Sequence, residues 1–171
     1  ARDPQATDAF FPSDHYISDD AKFMGQIRTA LDTAVKRRDL IVLLGVEPES
    51  PEVEYGWIEP AQPIRGQAKV FGVRRFWEKP NHMLAQVLQL RGCLWNSFVM
   101  VAFVQALLDI IGSAIPELYR SFACLTPLFG TTAEARAIDQ LYARLQDVNF
   151  SHQVLALKAA RLAVLKVTGL R

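Results

Sequence analysis

Cysteine is scarce in this 171-residue chain: only Cys93 and Cys124 occur. Two isolated thiols exclude a disulfide framework and a cysteine-rich metal site, and they fit a reducing, cytosolic compartment. Histidine is nearly as rare, with 3 residues and no pair at ligand spacing. An excess of charge is missing too. The 19 basic and 18 acidic residues leave a net charge of +1. That balance supplies no basic field for nucleic acid and no acidic disordered tail. Internal repeats, low-complexity tracts, a glycine-rich phosphate loop and a Ser-His-Asp pattern are also lacking. A long uninterrupted apolar run is absent. The most apolar stretch, residues 94–115, is broken by Asn96, Ser97, Gln105 and Asp109, so it reads as a buried strand and a core helix rather than a membrane span. The first twenty residues are polar and acidic, unlike a signal peptide.

What is present is a core. Half of the residues are hydrophobic, and the length suits one domain over residues 1–171. The chain does not begin with Met and ends on Arg171 directly after an apolar run. A longer polypeptide, trimmed at both ends, is therefore expected.

Ala9-Phe10-Phe11 reads as the end of a short buried strand, followed by Pro12-Ser13-Asp14-His15. Asp14 either shapes a turn or holds Mg²⁺ beside phosphates at a strand end. His15 reads as a loop histidine. Ser18 can cap a helix whose first turn carries Asp19 and Asp20, with Phe23, Ile27, Ala30, Leu31 and Ala34 on its apolar face. Lys36-Arg37-Arg38 closes that helix against its negative end. Leu40-Ile41-Val42-Leu43-Leu44 is a strand covered on both faces. Strand, helix and strand in this order predict a crossover unit and a largely parallel sheet.

Residues 47–54 form an acidic, proline-containing loop. Gly56 after it is either a turn or bulge glycine, or a place where a ligand meets bare backbone. Residues 61–68 suit an exposed hairpin or loop. Arg74-Arg75-Phe76-Trp77-Glu78-Lys79-Pro80 is a strand ending in an acid, a base and a proline. Glu78 and Lys79 are either solvated charges or holders of sugar hydroxyls and of a phosphate. Pro80 suits the first turn of a helix carrying Met83, Leu84, Val87 and Leu88 on one stripe, and Gly92 ends it. Asn96 lies inside the next apolar strand, so its amide must bond either backbone or a ligand. Residues 106–115 read as a helix, and Pro116 opens another. Thr131 and Glu134 have capping-box spacing, with Ile138, Leu141, Tyr142 and Leu145 facing the core. Leu162-Ala163-Val164-Leu165-Lys166-Val167 is a final strand.

Four of these stretches resemble ordered motifs of the sugar-1-phosphate nucleotidyltransferases, most closely the mannose-1-phosphate guanylyltransferases. Pro12-Ser13-Asp14-His15-Tyr16-Ile17 is similar to the family's PSDH-x-I. Pro51-Glu52 with Tyr55-Gly56-Trp57-Ile58 resembles PET-x-YGYI. Phe76-Trp77-Glu78-Lys79-Pro80 resembles F-V-E-K-P, and Trp95-Asn96-Ser97 resembles WNSG. Val53, Trp77 and Phe98 depart from these patterns, Phe98 replacing a glycine where a ring could crowd the pocket. Residues 150–155 resemble a later S-x-D-Y-x-V-L/M segment, with His152 and Gln153 at its polar positions. The family's glycine-rich nucleotide loop and its W-x-D-x-G segment do not occur in this sequence.

The resemblance implies a three-layer, Rossmann-like α/β fold with a predominantly parallel mixed sheet, here its sugar-phosphate-binding portion. It implies catalytic roles for Asp14 and Lys79, with Asp14 the Mg²⁺ ligand. It implies substrate contacts from Gly56, Glu78, Lys79 and Asn96. The reaction implied joins GTP and mannose 1-phosphate into GDP-mannose and pyrophosphate. That chemistry proceeds by positioning and charge neutralisation with no covalent nucleophile, and this stretch alone is expected to be inactive. Another nucleoside triphosphate with another sugar 1-phosphate would use the same machinery, and a catalytically silent binding domain is the competing reading. The implied partners are a nucleotide and a sugar phosphate, not nucleic acid or membrane. A homo-oligomer is compatible with all of these readings.

Overall fold

The structure, a computed structural model, describes residues 3–168. Strand β1 (Thr7–Phe10) leads through helix α1 (Asp20–Lys36) to β2 (Ile41–Val46). Strands β3 (Trp57–Pro63) and β4 (Val70–Trp77) follow, then α2 (His82–Leu90) and the long β5 (Leu94–Phe103). Three helices come next: α3 (Val104–Ala114), α4 (Pro116–Ala123) and α5 (Glu134–Tyr142). A π-helical turn (Ser151–Leu155) precedes β6 (Leu162–Val167). Residues 94–115 thus divide into a strand and a helix, and no helix among the described residues is long and apolar enough to cross a membrane.

The six strands form one sheet in the order β1-β5-β2-β6-β4-β3. Alternation along β2 sends its side chains to two cores. Ile41 and Leu43 join Leu162 and Val164 of β6 on the face covered by α3 and the π-helical turn. Val42 and Leu44 join Ala163 and Leu165 on the opposite face, under Ile27, Ala30 and Ala34 of α1. A third cluster, Trp57, Ala85, Leu88 and Cys93, seats α2. Helix–sheet–helix layering is the α/β architecture expected.

The balance of strand directions differs from the expected parallel majority. Among the described pairings only β2–β6 is parallel; β1–β5, β2–β5, β3–β4, β3–β5 and β4–β6 are antiparallel. The crossover through α1 does leave β1 and β2 pointing the same way, since both oppose β5. They are not neighbours, because β5 lies between them. Hydrophobic periodicity reports which faces are covered, not which strand inserts where.

Pairing of Trp57 with Trp95 and Ile58 with Leu94 links β3 back to β5, closing β5, β2, β6, β4 and β3 into a ring. The closure passes over Gly45, where the β2–β5 register shifts. A Cβ there would lie 2.6 Å from Val164 Cγ2 and 2.8 Å from Leu94 Cδ1.

Other local expectations are corrected by packing. Asp19, not Ser18, is the N-cap of α1, its side chain accepting from Lys22 N at 2.9 Å. Helix α2 starts after Asn81, whose side chain accepts from Leu84 N, so Pro80 lies before the cap rather than in the first turn. Ala85 and Leu88 are the buried residues of α2, while Met83 and Val87 are exposed. The helix ends with Gly92 at φ 72. Gly92 N bonds Gln89 O and Cys93 N bonds Leu88 O, a Schellman closure. Residues 61–68 do form part of a hairpin, as expected: β3 runs to Pro63 and the turn after it leads into the antiparallel β4. Strand β1 is not buried throughout: Phe10 is exposed, as is Phe11 after it. Glu134 reaches back to Gly130 N rather than Thr131 N, and no residue of α5 is fully buried.

Gly45→Ala should lower unfolding free energy by about 1–3 kcal/mol through overpacking. Gly25→Ala, at an exposed α1 position with nothing within 4 Å of the new Cβ, should raise it by roughly 0.5–1 kcal/mol. Urea denaturation of both variants measures the contrast.

Candidate functional site

The acidic loop, residues 47–56, is held at its middle and at its end. Trp57 Nε1 donates to Glu52 O at 2.8 Å, and Gly56 O accepts from Asn96 N at 2.7 Å. That second bond brings the start of β3 against β5. Glu78, just past the end of β4, comes to the same place. Its Oε2 lies 3.2 Å from where a Cβ on Gly56 would stand, with Phe76 Cζ at 2.8 Å. Glycine is therefore required there: a methyl group would push on the Phe76 ring and the carboxylate. Gly56, Glu78 and Asn96 are one constellation, although they come from three separate segments.

Three polar atoms around it lack partners. Glu78 Oε2, Asn96 Nδ2 and Trp95 Nε1 are buried and make no hydrogen bond among the described residues. Asn96 is 3 % exposed, and its Oδ1 accepts from Phe98 N at 3.2 Å. That bond fixes the amide, leaving Nδ2 as the free donor. Buried polar groups are nearly always paired. One acceptor and two donors left open suit a ligand carrying hydroxyl groups. Trp95 is a residue the motif reading did not single out. Its ring packs against Tyr55 at 5.1 Å and Trp57 at 6.1 Å between centroids.

A cavity of about 780 Å³ opens beside this group. Its wall includes Asp14, His15, Glu47, Tyr55, Trp95, Asn96 and Ser97. Asp14 and Asn96 therefore share one cavity, though they come from separate segments of the chain. Lys79 does not line it. Its Nζ is ion-paired with Glu54 Oε2 at 3.0 Å, on the solvent side of the loop. Its backbone sits at φ 44, a left-handed conformation for a non-glycine residue. Among the described residues, no group of three or more His, Cys, Asp or Glu could hold a metal ion. Asp14 offers one exposed carboxylate. That fits Mg²⁺ held mainly by substrate phosphates and water, and not a metal caged by protein.

Phe98 also adopts a left-handed backbone, φ 58. Its side chain is 43 % exposed and lies outside the cavity wall, which Asn96, Ser97 and Val99 form. The ring does not crowd the cavity as its bulk suggested.

Fold and cavity together define an α/β domain with a ligand-sized site at the ends of the interior strands β2 and β6 of a mixed sheet, beside the start of β5. Residues 2–119, more than half of the chain, match the family model described as nucleotidyl transferase, and the chain belongs to that family. Mannose-1-phosphate guanylyltransferase 2 of Escherichia coli O157:H7 is 29% identical over 113 residues, covering 63% of this chain and 23% of that protein. Alginate biosynthesis protein AlgA of Pseudomonas putida is 39% identical over 87 residues, covering 50% of this chain and 18% of that protein. A solved structure described as mannose-1-phosphate geranyltransferase from Thermus thermophilus superposes with a TM-score of 0.79 at 26% identity, covering 94% of this chain and 44% of that one. Mannose-6-phosphate isomerase from Helicobacter pylori shares the fold, with a TM-score of 0.78 at 21% identity over 96% of this chain and 63% of that one. The chain thus spans about a fifth of the length of these two curated relatives.

Two measurements check this local picture. Phe98→Gly should leave stability unchanged or raise it by up to about 1 kcal/mol, because the left-handed strain disappears. Val99→Gly, at the buried neighbour, should cost more than about 2 kcal/mol. Thiol titration at pH 8 should find one reactive cysteine in the native chain and two after denaturation. Cys124 is exposed, whereas burial, with a smaller contribution from the Glu59 charge, pushes the Cys93 thiol up to about 11.

Proposed function

We propose that this chain forms the sugar-phosphate half of a nucleotidyltransferase that converts GTP and mannose 1-phosphate into GDP-mannose and pyrophosphate. The observation that carries the reading is the constellation of Gly56, Glu78 and Asn96, with its open acceptor and open donor beside the cavity. Membership of the nucleotidyl transferase family supports the reaction class. The choice of GTP and mannose leans on relatives with those names and on the four motifs.

In this reading Glu78 accepts from sugar hydroxyls, Asn96 Nδ2 and Trp95 Nε1 donate to sugar oxygens, and the bare backbone of Gly56 lets the ring approach. Tyr55 and Trp95 supply an aromatic wall. Lys79 holds the sugar phosphate as a point charge. A phosphate oxygen then attacks the α-phosphorus of the nucleotide and pyrophosphate leaves in line, so the protein contributes orientation and neutralisation. Asp14 would be the carboxylate that holds Mg²⁺, which when bound supplies neutralisation of the phosphate charges. The protein works in the cytoplasm, where nucleotides and sugar phosphates are available.

The test crosses four nucleoside triphosphates with mannose 1-phosphate and glucose 1-phosphate and measures pyrophosphate release by the polypeptide its reading frame encodes. Turnover should be selective for GTP with mannose 1-phosphate. Lys79→Ala should lower kcat/KM by at least about 100-fold, the scale of a lost transition-state charge contact. Turnover with another pair would keep the mechanism and change the substrates. A folded protein inactive with every pair would defeat the reading in favour of a silent binding domain.

A further inference from the structure

Glu54 is the residue that the proposed chemistry leaves unused. It lies in the loop before β3, between Val53 and Tyr55. Its carboxylate nevertheless takes the one ammonium group that would receive a phosphate: Lys79 Nζ lies 3.0 Å from Glu54 Oε2. Both side chains are mostly exposed, 56 % for Lys79 and 73 % for Glu54. An exposed pair of this kind is weak and screened by salt. A phosphate monoester, with close to two negative charges, can displace a single carboxylate from it. The pair also ties the loop to the end of β4 at the residue whose backbone is left-handed, so Lys79 is held in a defined direction while it waits.

We infer that Glu54 is an internal competitor for the sugar phosphate: it occupies Lys79 in the free protein and is displaced when the phosphate binds. The inference rests on the sugar-phosphate reading given above. Glu54 then sets the affinity for the phosphate group: a ligand that uses Lys79 must displace it, and a ligand without an anion is unaffected by it. Neutral sugar lacks the charge to release Lys79. While Glu54 stays near the phosphate it adds repulsion, so its removal strengthens binding on two counts.

The experiment is a binding titration of the 171-residue chain, followed by tryptophan fluorescence. All three tryptophans, Trp57, Trp77 and Trp95, lie in or against one cluster at the site. The probes are mannose 1-phosphate, inorganic phosphate and mannose. The variants are Glu54→Gln, Lys79→Gln and the double substitution, with Glu54→Ala as a second neutral replacement; urea midpoints verify that each is folded. Glu54→Gln should bind mannose 1-phosphate roughly threefold to tenfold more tightly at low ionic strength. The gain should shrink toward nothing at about 0.5 M salt, where charges are screened within a few ångströms. Mannose binding should not change, and in the Lys79→Gln background removal of Glu54 should gain nothing. If Lys79→Gln loses mannose 1-phosphate binding but neither Glu54 variant tightens it, the sugar-phosphate reading stands and the role of Glu54 is overturned. If the unsubstituted chain and the Glu54 variants all fail to bind, or if Lys79→Gln binds as well as the original, both fall.

Discussion

The hydrogen bond from Asn96 N to Gly56 O is the contact on which the site depends. It lies where β3 meets β5, next to the Trp57–Trp95 pair that closes the strand ring. Without it the 47–56 loop would lose its register, and Gly56 would have no fixed relation to Glu78 or to the cavity. The bond's surroundings are closely packed. Trp57 is completely buried and its indole is tied to Glu52 O. Gly45 lets β2 pass close under Leu94 at the same level. Two glycines thus serve one end: Gly45 lets the strands approach, and Gly56 keeps side chains out of the space so created. Core packing and site geometry are here the same set of contacts.

Much of this was legible from residues alone, and the reasons are physical. The run Leu40–Leu44 reads as a strand covered on both faces and Leu162–Val167 as a final strand, and they fall on β2 and β6, which pair in parallel. The four motif stretches do lie at strand ends, after β1, before β3, at the end of β4 and at the start of β5, with Asp14 and Asn96 on the same cavity. Pairing partners were harder to read. Strand β5 bonds β1 along one part and β3 along another, while β2 runs along its other side. A side-chain pattern of period two cannot encode that choice. The stripe on α2 misled because Met83 and Val87 share their helix surface with Leu84 and Leu88, and the sheet covers only one side of it. Helix α5 is amphipathic yet contributes no fully buried residue, because apolar periodicity requires an apolar face but does not supply its partner. The Lys79–Glu54 pair spans 25 residues, and no local rule predicts it.

The energetics of the site run against those of the core. Each unpartnered buried polar atom forfeits about 1–3 kcal/mol relative to a paired one, and Glu78, Trp95 and Asn96 contribute one atom each. Left-handed backbone at Lys79 and Phe98 adds about 1–2 kcal/mol per residue. These costs are offset by the two large apolar clusters and the tryptophan cluster that surround them. A protein gains nothing in stability from such an arrangement. It gains a surface whose donors and acceptors are already oriented, so a ligand that satisfies them does not have to organise them first.

The fate of Phe98 shows why a departure from a motif need not change the backbone the motif builds. A glycine at this position would adopt φ 58 freely; phenylalanine must be held there. The holding groups precede it in sequence. Asn96 Oδ1 accepts from Phe98 N, Ser97 Oγ accepts from Val99 N at 3.3 Å, and the same hydroxyl donates to Leu44 O at 2.7 Å. Two polar side chains thus take over backbone bonding where the β2–β5 register slips near Gly45. They define the bend in β5 whichever side chain occupies position 98. Strain from the missing glycine is therefore absorbed by Asn96 and Ser97, and the ring is free to turn toward solvent rather than into the cavity. The amide fixed by this arrangement is the one whose Nδ2 stands open to a ligand. Local conformation and recognition at β5 therefore rest on the same side chain, and substituting position 98 alone leaves that side chain in place.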